Sequence, residues 1–415
     1  MTSRLQNGRF TYSCVSLAIC AATAIATAIA MLATPAAQAA EWRIEPLVRA
    51  GADYDDNAIL TPRTDLDSDI SGYIIDLKAK FAYASETSEF FITPTLRSRD
   101  YDKPEYDADD QFLDFRLDHD TQSSTFAFRG NYSRESVRTA ERSDADLDIE
   151  DPDEIPDDDT ARVASVARRQ LFRVSPSWSY RMSDASSIVA ALAYTDTSYD
   201  EVIGNRYTDY SDARANLSYR RVWSPRNTAI LTGFYRQYES DGSDPVDGFG
   251  FNAGFERTLS ETMRIRALVG VENTETTPTE TESNWVADFS LTRRLQTITM
   301  LAQYRRSISG GGSGSLNSRD QFNLNFVRQL NERASAGLGV RAYQTNALIK
   351  GNTNFDEREY VQLRAQFTWN MTPRWSVETN YRYTFSDRSS LGESANSNQV
   401  TVWLNYRPTP IIRSR

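Results

Sequence analysis

The chain has 415 residues, with 46 Lys and Arg against 57 Asp and Glu, one histidine and a formal charge of −11. That acidic balance argues against nucleic acid as a partner, since phosphate binding needs a cationic surplus. A mean hydropathy of −0.56 excludes a helical membrane protein, which needs several spans of about 20 apolar residues. It is compatible with a membrane barrel, in which half of each strand faces water.

Residues 1–39 read as a cleaved signal peptide. Arg4 and Arg9 supply the positive start, an apolar run follows from Val15 to Leu32, and Ala37-Gln38-Ala39 is the A-x-A cleavage pattern. The competing reading is an uncleaved membrane anchor. A lipoprotein reading fails at Cys20, because Leu17-Ala18-Ile19 puts a bulky residue where a small one is needed. Cys14 and Cys20 both lie in this segment, so the mature chain has no disulfide and no cysteine-ligated metal. Removing two arginines leaves 46 − 2 = 44 basic residues, of which only Lys78, Lys80, Lys103 and Lys350 are lysines.

From residue 40 to 407 the dominant period is two, the period of a strand with unlike faces. Trp375-x-Val377-x-Thr379-x-Tyr381-x-Tyr383-x-Phe385 is largely apolar on one face, with Ser376, Glu378, Asn380, Arg382 and Thr384 on the other. The same alternation runs through Phe126-x-Phe128-x-Gly130-x-Tyr132, Phe249-x-Phe251-x-Ala253-x-Phe255, Trp285-x-Ala287-x-Phe289-x-Leu291 and Ile298-x-Met300-x-Ala302-x-Tyr304. Such segments start near residues 42, 71, 89, 111, 124, 167, 187, 210, 228, 248, 263, 284, 297, 320, 333, 359, 374 and 397. The phase is ambiguous over 229–238, where Leu231 and Tyr235 compete with Ile230 and Phe234 for the apolar face.

Links after even strands are short, as in Ser224-Pro225-Arg226-Asn227, whereas most links after odd strands are long and polar, as in 134–166, 196–209 and 345–358. This is the alternation of periplasmic turns and outer loops. A soluble β-sandwich would share the period but not the asymmetry. Trp178, Tyr180, Tyr219, Trp223, Trp375 and Tyr406 fall near periplasmic strand ends, and Tyr54, Tyr238, Phe249 and Phe385 near outer ends, as membrane-interface aromatics do. The pattern predicts an all-β, transmembrane, antiparallel up-and-down β-barrel of about 18 strands, with 16 the alternative, in the outer membrane of a Gram-negative bacterium. Residues 408–415 are expected as a short periplasmic tail after a final strand, Val400-x-Val402-x-Leu404-x-Tyr406, that the outer-membrane assembly machinery would read.

Catalytic chemistry has little to stand on. His119 lies between Asp118 and Asp120 at a predicted periplasmic turn and reads as a solvated turn residue; no phosphate loop, zinc spacing or nucleophile elbow is present. No enzyme, cofactor or bound metal is expected. The acid-rich segment 144–159 reads as a solvated outer loop; the sharper reading, divalent cations shared with lipopolysaccharide, lacks the spacing of a calcium loop. Gly310-Gly311-Gly312-Ser313-Gly314-Ser315 reads as a flexible outer loop.

Arginines crowd the polar face. By strand phase Arg43, Arg97, Arg116, Arg129, Arg173, Arg214, Arg220, Arg264, Arg266, Arg305, Arg364 and Arg382 point into the lumen, with Asp114, Glu256, Glu272, Asp288 and Glu378 beside them. They either brace adjacent strands as Arg–carboxylate pairs or form a track of guanidinium donors for a polar or anionic solute. A barrel of this size can hold a water-filled channel. No domain precedes the first strand, so gating is expected from a loop, with 134–166 the leading candidate, or from a partner.

Trp42-Arg43-Ile44-Glu45-Pro46 running into Tyr54-Asp55-Asp56-Asn57 resembles the start of the β-barrel porin 2 family, outer-membrane proteins associated with exopolysaccharide loci. The resemblance implies export of an exopolysaccharide or capsular polysaccharide with periplasmic export proteins as partners, beside outer-membrane lipid and lipopolysaccharide. The alternatives are a general or solute-specific uptake porin, and a non-conducting structural or adhesive barrel.

Overall fold

The computed structural model describes residues 40–62, 68–142, 147, 152–154, 167–200, 207–241, 244–277, 280–312, 314–348, 357–388 and 393–414. The predicted signal segment and most of the acid-rich segment lie outside them. The strands are β1 (Glu41–Asp55), β2 (Ile70–Ala84), β3 (Ser88–Tyr101), β4 (Ala108–Asp120), β5 (Ser124–Ser136), β6 (Arg168–Ser183), β7 (Ser186–Asp200), β8 (Tyr210–Ser224) and β9 (Asn227–Ser240). They continue as β10 (Val246–Ser260), β11 (Met263–Thr277), β12 (Glu280–Arg294), β13 (Ile298–Gly310), β14 (Leu316–Asn331), β15 (Ala334–Ala347), β16 (Arg358–Asn370), β17 (Trp375–Arg388), β18 (Glu393–Tyr406) and β19 (Ile411–Ser414). A single helical turn, α1 (Val137–Ala140), follows β5.

Each strand pairs antiparallel with its chain neighbour, and β1 closes the sheet against β18 from Val48–Tyr406 to Asp55–Gln399. Within the expected periplasmic tail, β19 takes up the same edge, from Ile44–Ile411 to Glu41–Ser414. Pro408 and Pro410 interrupt the ladder between the two pieces, because proline has no N–H to donate. The wall therefore has eighteen strands, the last in two segments. Closure matters energetically, since an open sheet edge in hydrocarbon leaves backbone groups unsatisfied at several kcal/mol each.

Leu77, Leu96, Leu192, Leu217, Phe251, Trp285 and Leu338 are exposed on the outside. An apolar exterior around a polar, closed interior is the arrangement that a lipid bilayer stabilises, and the chain is an outer-membrane β-barrel. The ambiguous phase of β9 resolves clearly: Leu231 is 53% exposed and Tyr235 47%, whereas Ile230 is 5% exposed and faces inward. Tyr238, expected at the outer interface, is 1% exposed. It packs inside the mouth with Tyr199, Tyr207, Tyr210, Ile308 and Leu316, because it shares the inward phase of Arg236. His119 lies within β4 rather than in the turn after it, and its Nδ1 is 2.8 Å from the Ser88 hydroxyl.

Candidate functional site

Of the chain after β5, residues 137–142, 147 and 152–154 are described, and they lie in the lumen against different walls. Arg138 donates to the Tyr101 hydroxyl at 2.9 Å, and Tyr101 donates to Asp53 at 2.9 Å. Tyr199 donates to the Glu141 carboxylate at 3.2 Å, and Arg169 approaches Glu141 at 3.6 Å. Arg142 is buried at the closure seam. Its Nη1 donates to Asp55 at 2.6 Å and its Nη2 to the Asn57 carbonyl at 2.6 Å, while Gln362 of β16 donates to the Arg142 carbonyl at 3.1 Å.

Farther along, Leu147 is buried against β15. Gly337 and Gly339 face it there: a Cβ on Gly339 would stand 2.4 Å from Leu147 Cδ2, and one on Gly337 2.9 Å from Cδ1. The segment then reaches β11–β13. Arg266 grips Asp153 with both terminal nitrogens, at 2.8 and 2.7 Å. Arg305 donates to Asp153 at 3.2 Å and to the Pro152 carbonyl at 3.0 Å, and Gln303 donates to the same carbonyl at 3.2 Å. The crossing segment is thus held by ion pairs at two far-apart walls. The Arg142–Asp55 pair holds position because separating it strands a buried charge, whereas half-exposed Asp153 is held by its two-point contact with Arg266.

Beside and beneath it lies a cavity of about 550 Å³ walled by β1–β6, β16, β17 and β18. Among the described residues, ten cationic side chains and four acidic ones line it, a surplus of six in a chain whose own charge is −11. Of the predicted lumenal residues it collects Arg97, Arg173, Arg364, Arg382, Asp114 and Glu378. Arg97 makes a two-point contact with Asp76 at 2.7 and 3.0 Å. Arg173 donates to Thr195 at 3.2 Å, and Asn131 donates to Asp114 at 2.7 Å. Arg49 bridges Glu378 at 3.3 Å and lies 4.2 Å over the Trp403 ring. Gly51 makes room for that indole, since a Cβ there would fall 2.7 Å from it.

A smaller cavity of about 190 Å³ on the β8–β13 side takes in Arg214, Asp288 and Arg305. Asp288 accepts from Arg305 at 3.1 Å and from Arg266 at 3.5 Å, and Arg214 pairs with Asp212 at 3.0 Å. Glu272 lines this cavity too, and Arg266 lies beside it on Asp153 and Asp288, whereas Arg43, Arg116, Arg129, Arg220 and Arg264 sit toward the periplasmic end, apart from both cavities. Arg43 pairs with Glu41 and Glu45 of its own strand at 3.0 and 3.2 Å. Arg116 pairs with Asp118 at 2.6 Å and stands in register with Arg129. Arg264 approaches Glu256 at 3.6 Å, and Arg220 shares a shallow pocket with Glu256.

Arg49, Asp76, Arg99, Arg138, Arg142, Arg169 and Trp403 also line the larger cavity without having been singled out from the sequence. Arg49 lies in phase with Arg43, and Trp403 is out of phase with Val402 and Leu404, so strand alternation alone could have found both. Arg138 and Arg142 lie on no strand, and no periodic signal reaches them.

No family model and no curated protein matches the sequence. Solved structures similar to the chain include OpdQ of Pseudomonas aeruginosa, at 7% identity and a TM-score of 0.45, over 89% of this chain and 98% of that one. OccK3 (OpdO) of Pseudomonas aeruginosa aligns at 11% identity and a TM-score of 0.46, over 88% and 95%. OccAB3 of Acinetobacter baumannii aligns at 8% identity and a TM-score of 0.44, over 89% and 99%.

Proposed function

We propose that the protein is a selective diffusion channel of the outer membrane, taking up small anionic solutes through the larger cavity. The observation that carries this reading is the surplus of six cationic side chains lining that space. Asp55, Asp110 and Glu141, outside the lining, pair with Arg142, Arg99 and Arg169, which among the described residues still leaves three more cations than carboxylates. A carboxylate or phosphate passing between the guanidinium forks supplies the missing charge with fixed geometry. Walls of low dielectric strengthen that attraction relative to bulk water.

The mechanism is passive. A solute exchanges water for Arg97, Arg173, Arg364 and Arg382 in turn, and the neighbouring acids Asp114 and Glu378 keep each site weak enough to release it. The segment anchored by Arg142 and Asp153 narrows the passage to small solutes. Export of a polysaccharide, which the family resemblance implies, would require that segment to leave both walls, and no feature of the lumen among the described residues favours it.

Reversal potentials across a salt gradient in planar bilayers test the proposal. Wild type should prefer anions, and the triple variant Arg97→Gln, Arg364→Gln, Arg382→Gln should lose most of that preference. An unchanged reversal potential would mean that these arginines only brace the wall. A deletion strain with lost surface polysaccharide and intact anion uptake would restore the export reading.

A further inference from the structure

The ladder between β12 and β13 is broken. Its last rung joins Ala287 to Arg306; beyond it, Glu280–Val286 of β12 and Ser307–Gly310 of β13 run on without pairing each other. Their far edges stay intact, since β12 pairs with β11 up to Glu280 opposite Thr277, past a register shift, and β13 pairs with β14 up to Gly310 opposite Leu316. The cause is an inward lean of the β13–β14 hairpin. Ile308 is 2% exposed among the mouth tyrosines. Arg236 donates to the Ile308 carbonyl at 2.7 Å, Tyr238 to the Gly311 carbonyl at 3.2 Å, and the Thr208 amide to the Gly312 carbonyl at 2.9 Å. The glycine run allows this approach: a Cβ on Gly310 would lie 2.3 Å from the Tyr238 ring, and one on Gly312 2.4 Å from the Tyr199 hydroxyl.

The break opens at the outer rim of the apolar belt. Trp285 is 50% exposed beside it, with the Arg306 guanidinium 4.4 Å over its ring. Arg306 pairs with Asp320 at 2.6 Å, and Tyr304 donates to Asp320 at 2.6 Å. Aromatic rings with polar partners mark the level of lipid headgroups, where an unpaired strand edge can meet water rather than hydrocarbon. The gap leads into the smaller cavity, whose lining combines Arg305 and Arg306 with Phe234, Leu268, Val286 and Ile308. Within it, Glu272 Oε1 and Asn252 Oδ1 are buried acceptors with no hydrogen-bond partner among the described residues, so the space calls for a donor, water or a protonated acid, beside an apolar guest.

We propose that the β12–β13 break is a side portal through which an amphipathic carboxylate, of the class of medium-chain fatty acids, enters the smaller cavity from the outer lipid interface. Its carboxylate meets Arg306 at the lip, and its chain lies against Phe234, Leu268 and Ile308. The route starts from the lipid interface and ends beside Arg305, where Asp153 is docked; it draws nothing from the cations of the larger cavity, so it stands independently of the anion-channel reading.

The test uses Gram-negative cells expressing the full chain and radiolabelled decanoate as the probe. Val286→Cys with Ser307→Cys puts a cysteine pair at the next rung of the broken ladder. Oxidation should slow decanoate uptake at least tenfold and reduction should restore it, with salt conductance of the purified variant unchanged. Ala287→Trp, which fills the lip, should slow uptake similarly and decides the matter alone if the cysteine pair does not close. Arg306→Gln should slow decanoate but not the neutral alcohol decanol. Decanoate uptake that ignores both closures, or that falls only in parallel with conductance, overturns the portal.

Discussion

Replacing Arg142 with Gln tests whether the crossing segment is what narrows the lumen. Arg142 and Asp55 are both buried, and their 2.6 Å contact is the segment's link to the closure seam. Removing one member of such a pair leaves the other charge uncompensated, at a cost of about 3–5 kcal/mol. Asp55 would keep two neutral donors, the Ser397 hydroxyl at 2.7 Å and the Asn57 amide at 3.0 Å, so the lower end, about 3 kcal/mol, applies. The loss falls on segment docking rather than on the strand ladder, which does not use Arg142. A shift of that size multiplies the undocked population roughly a hundredfold. Single-channel conductance in planar bilayers should rise, with larger current fluctuations. The double variant Asp55→Asn, Arg142→Gln leaves no buried charge and should rise less. Wild-type conductance from folded Arg142→Gln protein would refute the reasoning.

The other outcomes follow from the same anchors. Gly339→Leu drives a side chain into Leu147 and should raise conductance more than Gly337→Ala, because the closer approach is at Gly339; equal traces from both would count against a docked Leu147. Burial alone would push the Asp153 carboxyl up, but Arg266 and Arg305 outweigh it and hold the group below its ordinary range. A lowered value means that the contact is complete above the ordinary carboxylate pKa and is lost only as pH falls through the lowered one. Conductance should therefore stay level from neutral pH down to about pH 4; a rise starting near pH 6 would contradict the pairing. Deleting residues 408–415 removes the four rungs between β19 and β1 and should lower the unfolding temperature by several degrees, measured by heat-dependent electrophoretic mobility. An unchanged transition would mean that β19 adds nothing to closure.

The Tyr54-Asp55-Asp56-Asn57 element, which carried the family resemblance, shows how much of a motif's meaning is tertiary. Tyr54 faces outward on the wall. Asp55 holds Arg142, Asp56 accepts from the Asn398 amide and side chain at 2.6 and 2.8 Å, and Asn57 ties the turn to Thr61 and Asn396. The element joins the two ends of the barrel and pins the crossing segment, a structural role that four letters in a row do not reveal.

Eighteen strands, their inward and outward faces and the alternation of short and long links were legible in the sequence alone, because a strand repeats every two residues and a lipid belt rewards that repeat at every rung. Phase failed where apolar residues occupy both faces. Tyr238 points inward because the mouth of this barrel has an apolar core of its own, built from residues of distant strands, while Ile230 and Phe234 share its inward phase outside that core, Phe234 lining the smaller cavity. The crossing segment, the division of the arginines between two cavities and the break beside Trp285 were decided only by tertiary structure. Each depends on pairing between residues far apart in sequence, Asp55 with Arg142 or Asp153 with Arg266, and a local period carries no information about such partners.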